Sequence, residues 1–205
     1  MLLAVLLILA SGALWFLAAN ALHYTDYSVT AYTPYYWGRR GALIPHIAGG
    51  VLALTAGLVQ VWLGLTHRTG SLHRTLGKIY GAGVVLSSFG AYYMAFTIPS
   101  NYLVYRAGLV GLATAWLLTT SMALVSIYRR NIEQHRDWML RSYTVTFAFV
   151  TFRLIDNWLT GLHLAPPEAI DALMAWACWS VPLLLMEPLI QLRRLRVTHG
   201  YVRSD

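Results

Sequence analysis

The chain has 205 residues, of which 58% are hydrophobic and only 11% are charged. Soluble domains carry about 25% charged residues, so this chain lacks the polar side chains needed to cover a water-exposed surface. The formal net charge of +7 would suit nucleic-acid binding in a soluble protein, but the basic residues lie between apolar segments, and we expect no nucleic-acid partner. The lone cysteine, Cys178, excludes an intramolecular disulfide and a cysteine-based metal site.

Six apolar runs are each long enough to cross the hydrocarbon core of a bilayer, which requires about 20 residues. The sequence therefore predicts an all-α, polytopic membrane helix bundle with about six transmembrane helices, forming a single integral membrane domain over residues 1–205. The six predicted spans are Leu2–Asn20, Ala42–Leu65, Ile79–Ile98, Ala107–Tyr128, Met139–Leu162 and Ile170–Leu192.

Basic residues alternate between the connections. The second and fourth connections and the C-terminal tail are rich in arginine and lysine, whereas the first, third and fifth connections hold only Arg39, Arg40 and Arg106. The positive-inside rule then puts both termini in the cytoplasm. The first span could instead be a signal peptide, but it lacks a charged start and is long for one, which favours a retained helix.

The first connection, between the first and second spans, is dense in aromatic residues. This composition indicates an interfacial cap on the outer surface rather than a ligand site.

One face of the second span carries only polar or small residues. That face should turn inward, where it would admit a neighbouring helix or a flat cofactor. Ordinary close packing is the alternative. That face comprises His46, Gly50, Ala53, Gly57, Gln60 and Gly64.

Two histidines lie where apolar helices meet basic loops. His73 shares a helical face with Gly77 and Tyr80 at the head of the third span, and His135 precedes the fifth span. Arg74 and Arg141 lie beside them in the sequence. The fourth span has no ionisable group, so we assign it a structural role.

The fifth span carries a polar track on one face. At 1.5 Å rise per residue, His135 and Arg153 lie about 27 Å apart, which is nearly the thickness of the hydrocarbon. An arginine inside a span marks function or a specific ion pair, for which Asp156 is the candidate partner. In the sixth span, Glu187 either neutralises the inner basic residues or exchanges protons. The track comprises His135, Met139, Ser142, Thr146, Phe149, Arg153 and Asp156.

Several of these motifs, in order, resemble the bacterial DUF2306 family of predicted membrane proteins over residues 42–191. They are the His46-Ile-Ala-Gly-Gly, Leu72-His73-Arg74, His135-Arg136-Asp137-Trp138-Met139 and Phe152-Arg153 stretches, and the Trp179, Pro182 and Glu187 ending. The resemblance implies a membrane fold in the bacterial cytoplasmic (inner) membrane and names no reaction.

A weaker similarity is to the cytochrome b561-like diheme proteins, which pair histidines from alternate helices around b hemes. The Ser71-Leu72-His73 to Gly77 stretch is similar to one such context. His135 would be the partner of His73, but the fourth span has no histidine to pair with His46, so at most one heme fits.

The sequence leaves several functions open. The first is a b-type heme protein for transmembrane or quinone-linked electron transfer, with His73 and His135 (or His46) as iron ligands. Gly77 and Gly81 would then form the floor below the macrocycle, on the helical face that carries Tyr80, and Arg74, Arg136 or Arg141 would hold its propionates. Its partners would be a quinone or a redox protein.

The second function is a proton-coupled transporter or binding protein that uses Gln60, Arg153, Asp156 and Glu187. The third is a structural or assembly subunit of a larger membrane complex. A metal-dependent membrane enzyme is the remaining alternative, and no span holds a two-ligand motif for it. In every case the lipid bilayer is a partner.

Overall fold

The computed structural model describes residues 2–202, with side chains over residues 3–195, so Met1 and residues 203–205 of the predicted domain lie outside the described part. The all-α prediction is confirmed, and residues 2–202 contain no strand. Seven α-helices follow one another: α1 (Leu2–Phe16), α2 (Val29–Trp37), α3 (Arg40–Leu65), α4 (Ser71–Phe96), α5 (Leu103–Tyr128), α6 (Ile132–Gly161) and α7 (Pro167–Val202).

Five segments of the described chain are long and apolar enough to cross a membrane: Leu3–Thr25, Arg40–Leu65, Ser71–Phe96, Ser100–Tyr128 and Pro167–Leu195. The sequence predicted about six, and the difference is α6. At 30 residues, α6 is about 45 Å long, which is sufficient to span, but its charged side chains keep it out of the apolar set. Large apolar side chains such as Phe89, Leu184 and Leu185 point away from the bundle, as a bilayer requires.

The segment between α1 and α3 forms a cap over one end of the bundle. After α1 the chain makes a π-helical turn (Leu17–Ala21) and a 3-10 turn (Leu22–Thr25) before α2. Arg39 donates from Nε to Oγ1 of Thr97 at 3.0 Å, which fixes the cap to the end of α4. The sequence analysis expected an aromatic interfacial cap here and missed α2, because Pro34 and the left-handed φ of 57° at Thr33 interrupt the helix.

Helices α3 and α4 pack closely because glycines lie at their crossing. A Cβ atom on Gly49 would lie 2.5 Å from the carbonyl oxygen of Gly83 and 2.7 Å from the backbone nitrogen of Ser87. Such small-residue contacts let two helix backbones approach in a membrane. His46 and Gly50 of the face predicted for α3 lie against Ser87 of α4, whereas Gly49, which makes the closest approach, was not predicted to belong to that face.

A cluster of buried hydroxyl groups joins α4, α5 and α6 in the core. The Tyr80 hydroxyl contacts Oγ of Ser142 at 2.6 Å and Oγ1 of Thr146 at 2.7 Å. From α5, Nε1 of Trp116 donates to Thr146 at 2.8 Å, and Oγ1 of Thr120 contacts Ser142 at 2.7 Å. The structural role expected for the fourth span thus includes bonds to a neighbouring helix as well as to its own carbonyls.

The helix crossing generates a test of stability. We expect Gly49→Ala to destabilise the protein by about 1–3 kcal/mol, because the added methyl group meets backbone atoms of α4 that cannot rotate away. Gly50→Ala is the matched control, since its nearest neighbour would be Oγ of Ser87 at 3.6 Å. The free energy of unfolding in mixed detergent micelles, followed by circular dichroism, measures both; an equal effect of the two substitutions would contradict the close crossing.

Candidate functional site

A cavity of about 810 Å³ lies beneath the cap. We call it the outer cavity, since the cap is on the side that the charge asymmetry predicts to be outside. Its volume falls in the range of about 300–1,000 Å³ that is usual for small-molecule sites. Its walls come from α3, α4, α5, α6, the π-helical turn, α2 and the start of α7. The convergence of these elements on one cavity makes it the leading candidate site.

His46 presents one ring nitrogen to the outer cavity. Its Nδ1 lies 2.9 Å from the carbonyl oxygen and 3.0 Å from Oγ of Ser87, while that hydroxyl donates to the His46 carbonyl at 2.8 Å. The hydroxyl hydrogen is therefore already used, and the bonding pattern assigns the imidazole hydrogen to Nδ1. No described residue bonds Nε2, which leaves a lone pair available to a ligand. Phe149 packs edge-on against the ring.

Arg153 lines the same cavity without an ion-pair or hydrogen-bond partner among the described residues. Its guanidinium carbon lies 5.7 Å from the centre of the Phe152 ring. The sequence suggested Asp156 as its partner, but no salt bridge joins the two side chains. Asp171 lines the same cavity, and its carboxylate lies within electrostatic reach of Arg153.

Tyrosines and carboxylates surround Arg153 at the mouth of the cavity. Burial raises the pKa of Tyr36 in the cap, and the positive charge of Arg153 opposes that shift. Tyr105 lies within electrostatic reach of Tyr36, Asp171 and Arg153. The mouth is therefore a charged, aromatic environment; its lining includes Tyr24, Tyr35, Tyr36, Tyr102, Tyr105, Glu168 and Asp171.

Asn20 contributes an unsatisfied donor. It lies in the π-helical turn and lines the cavity, and its Nδ2 atom is buried without a hydrogen-bond partner among the described residues. A buried amide that lacks a partner is costly, which makes Asn20 a candidate contact for a ligand acceptor. Single π-helical turns inside helices are frequent at functional sites.

The histidines at the opposite, inner end lie near each other. His73 is within electrostatic reach of His135, and its Nδ1 is buried without a described partner. The Nδ1 of His135 donates to the carbonyl oxygen of Ala123 at 2.8 Å, which leaves Nε2 as the free ring nitrogen. Arg74 is exposed beside His73. Two separate helices therefore bring two imidazoles to one end of the bundle.

Other predicted members of a heme site are engaged by the protein itself. The Gln60 side chain donates to the His73 carbonyl and lies 3.3 Å from where a Cβ on Gly77 would be, so it covers that face. Tyr80 belongs to the buried hydroxyl cluster. Arg141 donates two hydrogen bonds to Glu187, at 3.0 and 2.6 Å. This ion pair fits the first of the two roles considered for Glu187, which was to neutralise the inner basic residues.

The inner end also holds an ionic cluster that the sequence analysis missed. Asp137 is 1% exposed and accepts a hydrogen bond from Nε of Arg194 at 2.7 Å. Nη2 of Arg194 forms an ion pair with it at 2.7 Å, and Arg193 forms a second at 3.4 Å. The bonds connect the start of α6 to the end of α7. The aspartate within the His135 motif was the only sign of this cluster in the sequence. Its arginine partners could not be identified because they lie more than fifty residues away.

The structure thus separates the predicted residues into two groups. His46 and Arg153 share the outer cavity, whereas Asp156 does not line it. His73, His135, Gln60, Arg141 and Glu187 lie toward the inner end. Asn20, Tyr36, Tyr105 and Asp171 also line the cavity and were not predicted as site residues. Tyr36 was assigned to the aromatic interfacial cap, and no motif in the sequence distinguishes the other three.

A comparison with protein families agrees with the fold. The model of a family described as "Predicted membrane protein (DUF2306)" matches residues 43–190. That range contains the helices that carry His46, His73, His135 and Arg153. No curated protein and no solved structure matches the chain.

The ionic cluster at the inner end generates a second test. We expect Asp137→Asn to lower the free energy of unfolding by about 1–3 kcal/mol, because it removes the charge-assisted bonds to Arg194 and leaves Arg193 without its anion. Glu133→Gln, on the exposed side of the same helix, should stay within about 0.5 kcal/mol of the wild type. Unfolding in micelles measures both variants, and similar values for the two would show that the cluster contributes little.

Proposed function

The chain belongs to the DUF2306 family of predicted membrane proteins, and from the outer cavity we propose that it is a membrane-embedded carrier or binding protein for a small molecule with an acidic group. The observation that supports this proposal is the guanidinium of Arg153, which lines the cavity without a partner among the described residues. Arg153 is exposed at the cavity mouth, and an ionisable side chain within a bundle of apolar helices is by default a candidate for function. The planar guanidinium also matches a carboxylate or phosphate in geometry.

The other polar groups of the cavity fit the same role. Nε2 of His46 can accept a hydrogen bond, and the amide of Asn20 can donate one. A ligand that carries a further polar group beside its acidic group can therefore bond to either side chain. Phe149 and Trp116 supply apolar contact. A few polar groups that fix orientation within a mostly apolar wall are typical of ligand sites.

A carrier also needs a barrier between the two membrane faces. Beyond the cavity, Trp116 bonds to Thr146 and belongs to the buried hydroxyl cluster of Tyr80, Ser142 and Thr120. In this conformation the cluster closes the core below the cavity. Transport would require the helices to rearrange around it, whereas binding alone would not. We place this activity, as the family resemblance suggests, in the bacterial cytoplasmic membrane.

The role of Arg153 generates the third test. Among benzoate, octanoate and methylphosphonate, we expect at least one to bind the purified protein, and Arg153→Gln to weaken its affinity about 10- to 100-fold through loss of a charge-assisted bond. Arg106→Gln is the matched control, because Arg106 lies near the same end of the bundle without lining the cavity. Isothermal titration in maltoside micelles gives the affinities. Unchanged affinity in Arg153→Gln contradicts the proposal, as does a wild-type protein that binds neither these acids nor an acid that also carries an ammonium group.

A b-type heme at His73 and His135 is the second candidate, with electron transfer to or from a quinone or redox protein as its function. The observation that favours it is the buried, unpartnered Nδ1 of His73 within electrostatic reach of His135. Bound heme would supply reversible one-electron chemistry, and the bond to Ala123 would orient His135 as a ligand. The fit is incomplete, because Gln60 covers Gly77 and Arg141 is paired with Glu187.

Absorption spectra give the fourth test. If this heme binds, protein from heme-supplemented cells shows a Soret band that sharpens on reduction with dithionite. The band then disappears in His73→Ala and His135→Ala and persists in His163→Ala, since His163 lies at the far end of α6. A colourless wild-type preparation rules out the second candidate and leaves the first unaffected.

A further inference from the structure

The mouth of the outer cavity holds negative charge as well as Arg153. Asp171 and Glu168 both line it, and Asp156 lies within electrostatic reach of Asp171. No salt bridge or hydrogen bond joins any of these carboxylates to a described residue. A ligand with only an acidic group would gain the attraction of Arg153 and meet repulsion from the carboxylates around it.

Arg153 and Asp171 face one cavity without pairing. They lie within electrostatic reach of each other, yet no nitrogen–oxygen distance between them is as short as 4.0 Å. Opposite charges attract each other and can pair directly when their side chains reach. Because these two do not pair, both remain available in the cavity that they line, whose volume of about 810 Å³ accommodates a molecule with one charge of each sign.

The same mouth is rich in tyrosine. Tyr24 and Tyr36 come from the cap, and Tyr102 and Tyr105 come from the start of the α5 segment. Tyr35 of the cap also lines the mouth, but the guanidinium of Arg39 already lies 4.0 Å from its ring centre. The faces of aromatic rings attract cations, and groups of such rings recognise quaternary ammonium ions. A cationic group bound here would therefore be met by both aromatic faces and carboxylates.

From these features we infer that the ligand of the outer cavity is a zwitterion, with an ammonium group bound between the mouth tyrosines and Asp171 and an acidic group bound to Arg153. The inference rests on the proposed function and narrows its substrate class. Two sources share this chemistry: a free small zwitterion and the headgroup of a zwitterionic lipid. The methylated ammonium is the form that an aromatic site favours, because its charge is spread over methyl groups that contact the rings.

The test compares matched probes on protein in nanodiscs of phosphatidylglycerol, which contain no competing zwitterionic headgroup. The probes are 4-(trimethylammonio)butanoate, its methyl ester, which is only cationic, and 5,5-dimethylhexanoate, which has the same shape and is only anionic. Dihexanoylphosphatidylcholine represents the lipid source. We expect the trimethylammonio acid or the phosphatidylcholine to bind about tenfold or more tightly than either singly charged probe.

Two variants and one control test which residue binds which charged group of the ligand. Asp171→Asn should weaken binding of the preferred zwitterion about tenfold and leave 5,5-dimethylhexanoate unchanged or tighter, whereas Arg153→Gln should weaken both. Asp26→Asn is the control, because Asp26 lies in the cap outside the cavity lining and should change nothing. Tighter binding of phosphatidylcholine than of the free acid identifies the headgroup as the source, and the reverse identifies a free solute.

The outcomes separate this inference from the proposed function. If 5,5-dimethylhexanoate binds as tightly as both zwitterions and still depends on Arg153, the zwitterion inference is wrong and the binding function stands. If its binding does not depend on Arg153, the proposed function is wrong as well. Absence of saturable binding by either zwitterion also overturns the inference.

Discussion

The hydrogen bonds of Tyr80 hold the centre of this molecule together. One phenol from α4 contacts two hydroxyls of α6, and α5 joins the same cluster through Trp116 and Thr120. In lipid, hydrophobic burial does not distinguish one helix neighbour from another, so hydrogen bonds and close packing set the pairing. A fully satisfied buried cluster fixes rotation and depth together, because each bond is lost if a helix turns or slides. The position of Trp116 beside Phe149, and hence the floor of the cavity, follows from it.

The close crossing of α3 and α4 has a comparable role on the other side of the cavity. Gly49 and Gly83 bring the two backbones together, and this approach lets Ser87 bond both the ring and the backbone of His46. The histidine is thereby fixed in one orientation and one tautomer. The imidazole is therefore preorganised for a ligand, and little conformational entropy is lost on binding.

The sequence predicted the helical class and most spans because apolar length is a strong signal. It also placed Ser142, Thr146, Phe149 and Arg153 on one helical face, because helical periodicity is local; Ser142 and Thr146 are buried, whereas Arg153 is exposed. It could not predict which faces meet. Asp171 and Arg153 share a wall only through the packing of α6 and α7, and Asp137 reaches its arginines across more than fifty residues of sequence. The six-span count differed because the charged side chains of α6 lower its mean hydropathy, although its length of 30 residues is sufficient to span.

The attachment of the cap determines which part of the cavity lining can change independently of the spanning helices. Val29–Trp37 lies outside every spanning segment and is held to α4 by the Arg39–Thr97 bond, while its own bonds run mostly to neighbours in the chain, such as Tyr32 to Tyr24 and His23 to Ala31. Tyr35 and Tyr36, two of the five tyrosines at the cavity mouth, therefore belong to a segment outside the spanning helices, which packs on α3 through the contact of Ala31 and Tyr32 with Leu43. A substitution in this short segment can change the mouth of the cavity without changing the length or the apolar character of any spanning helix.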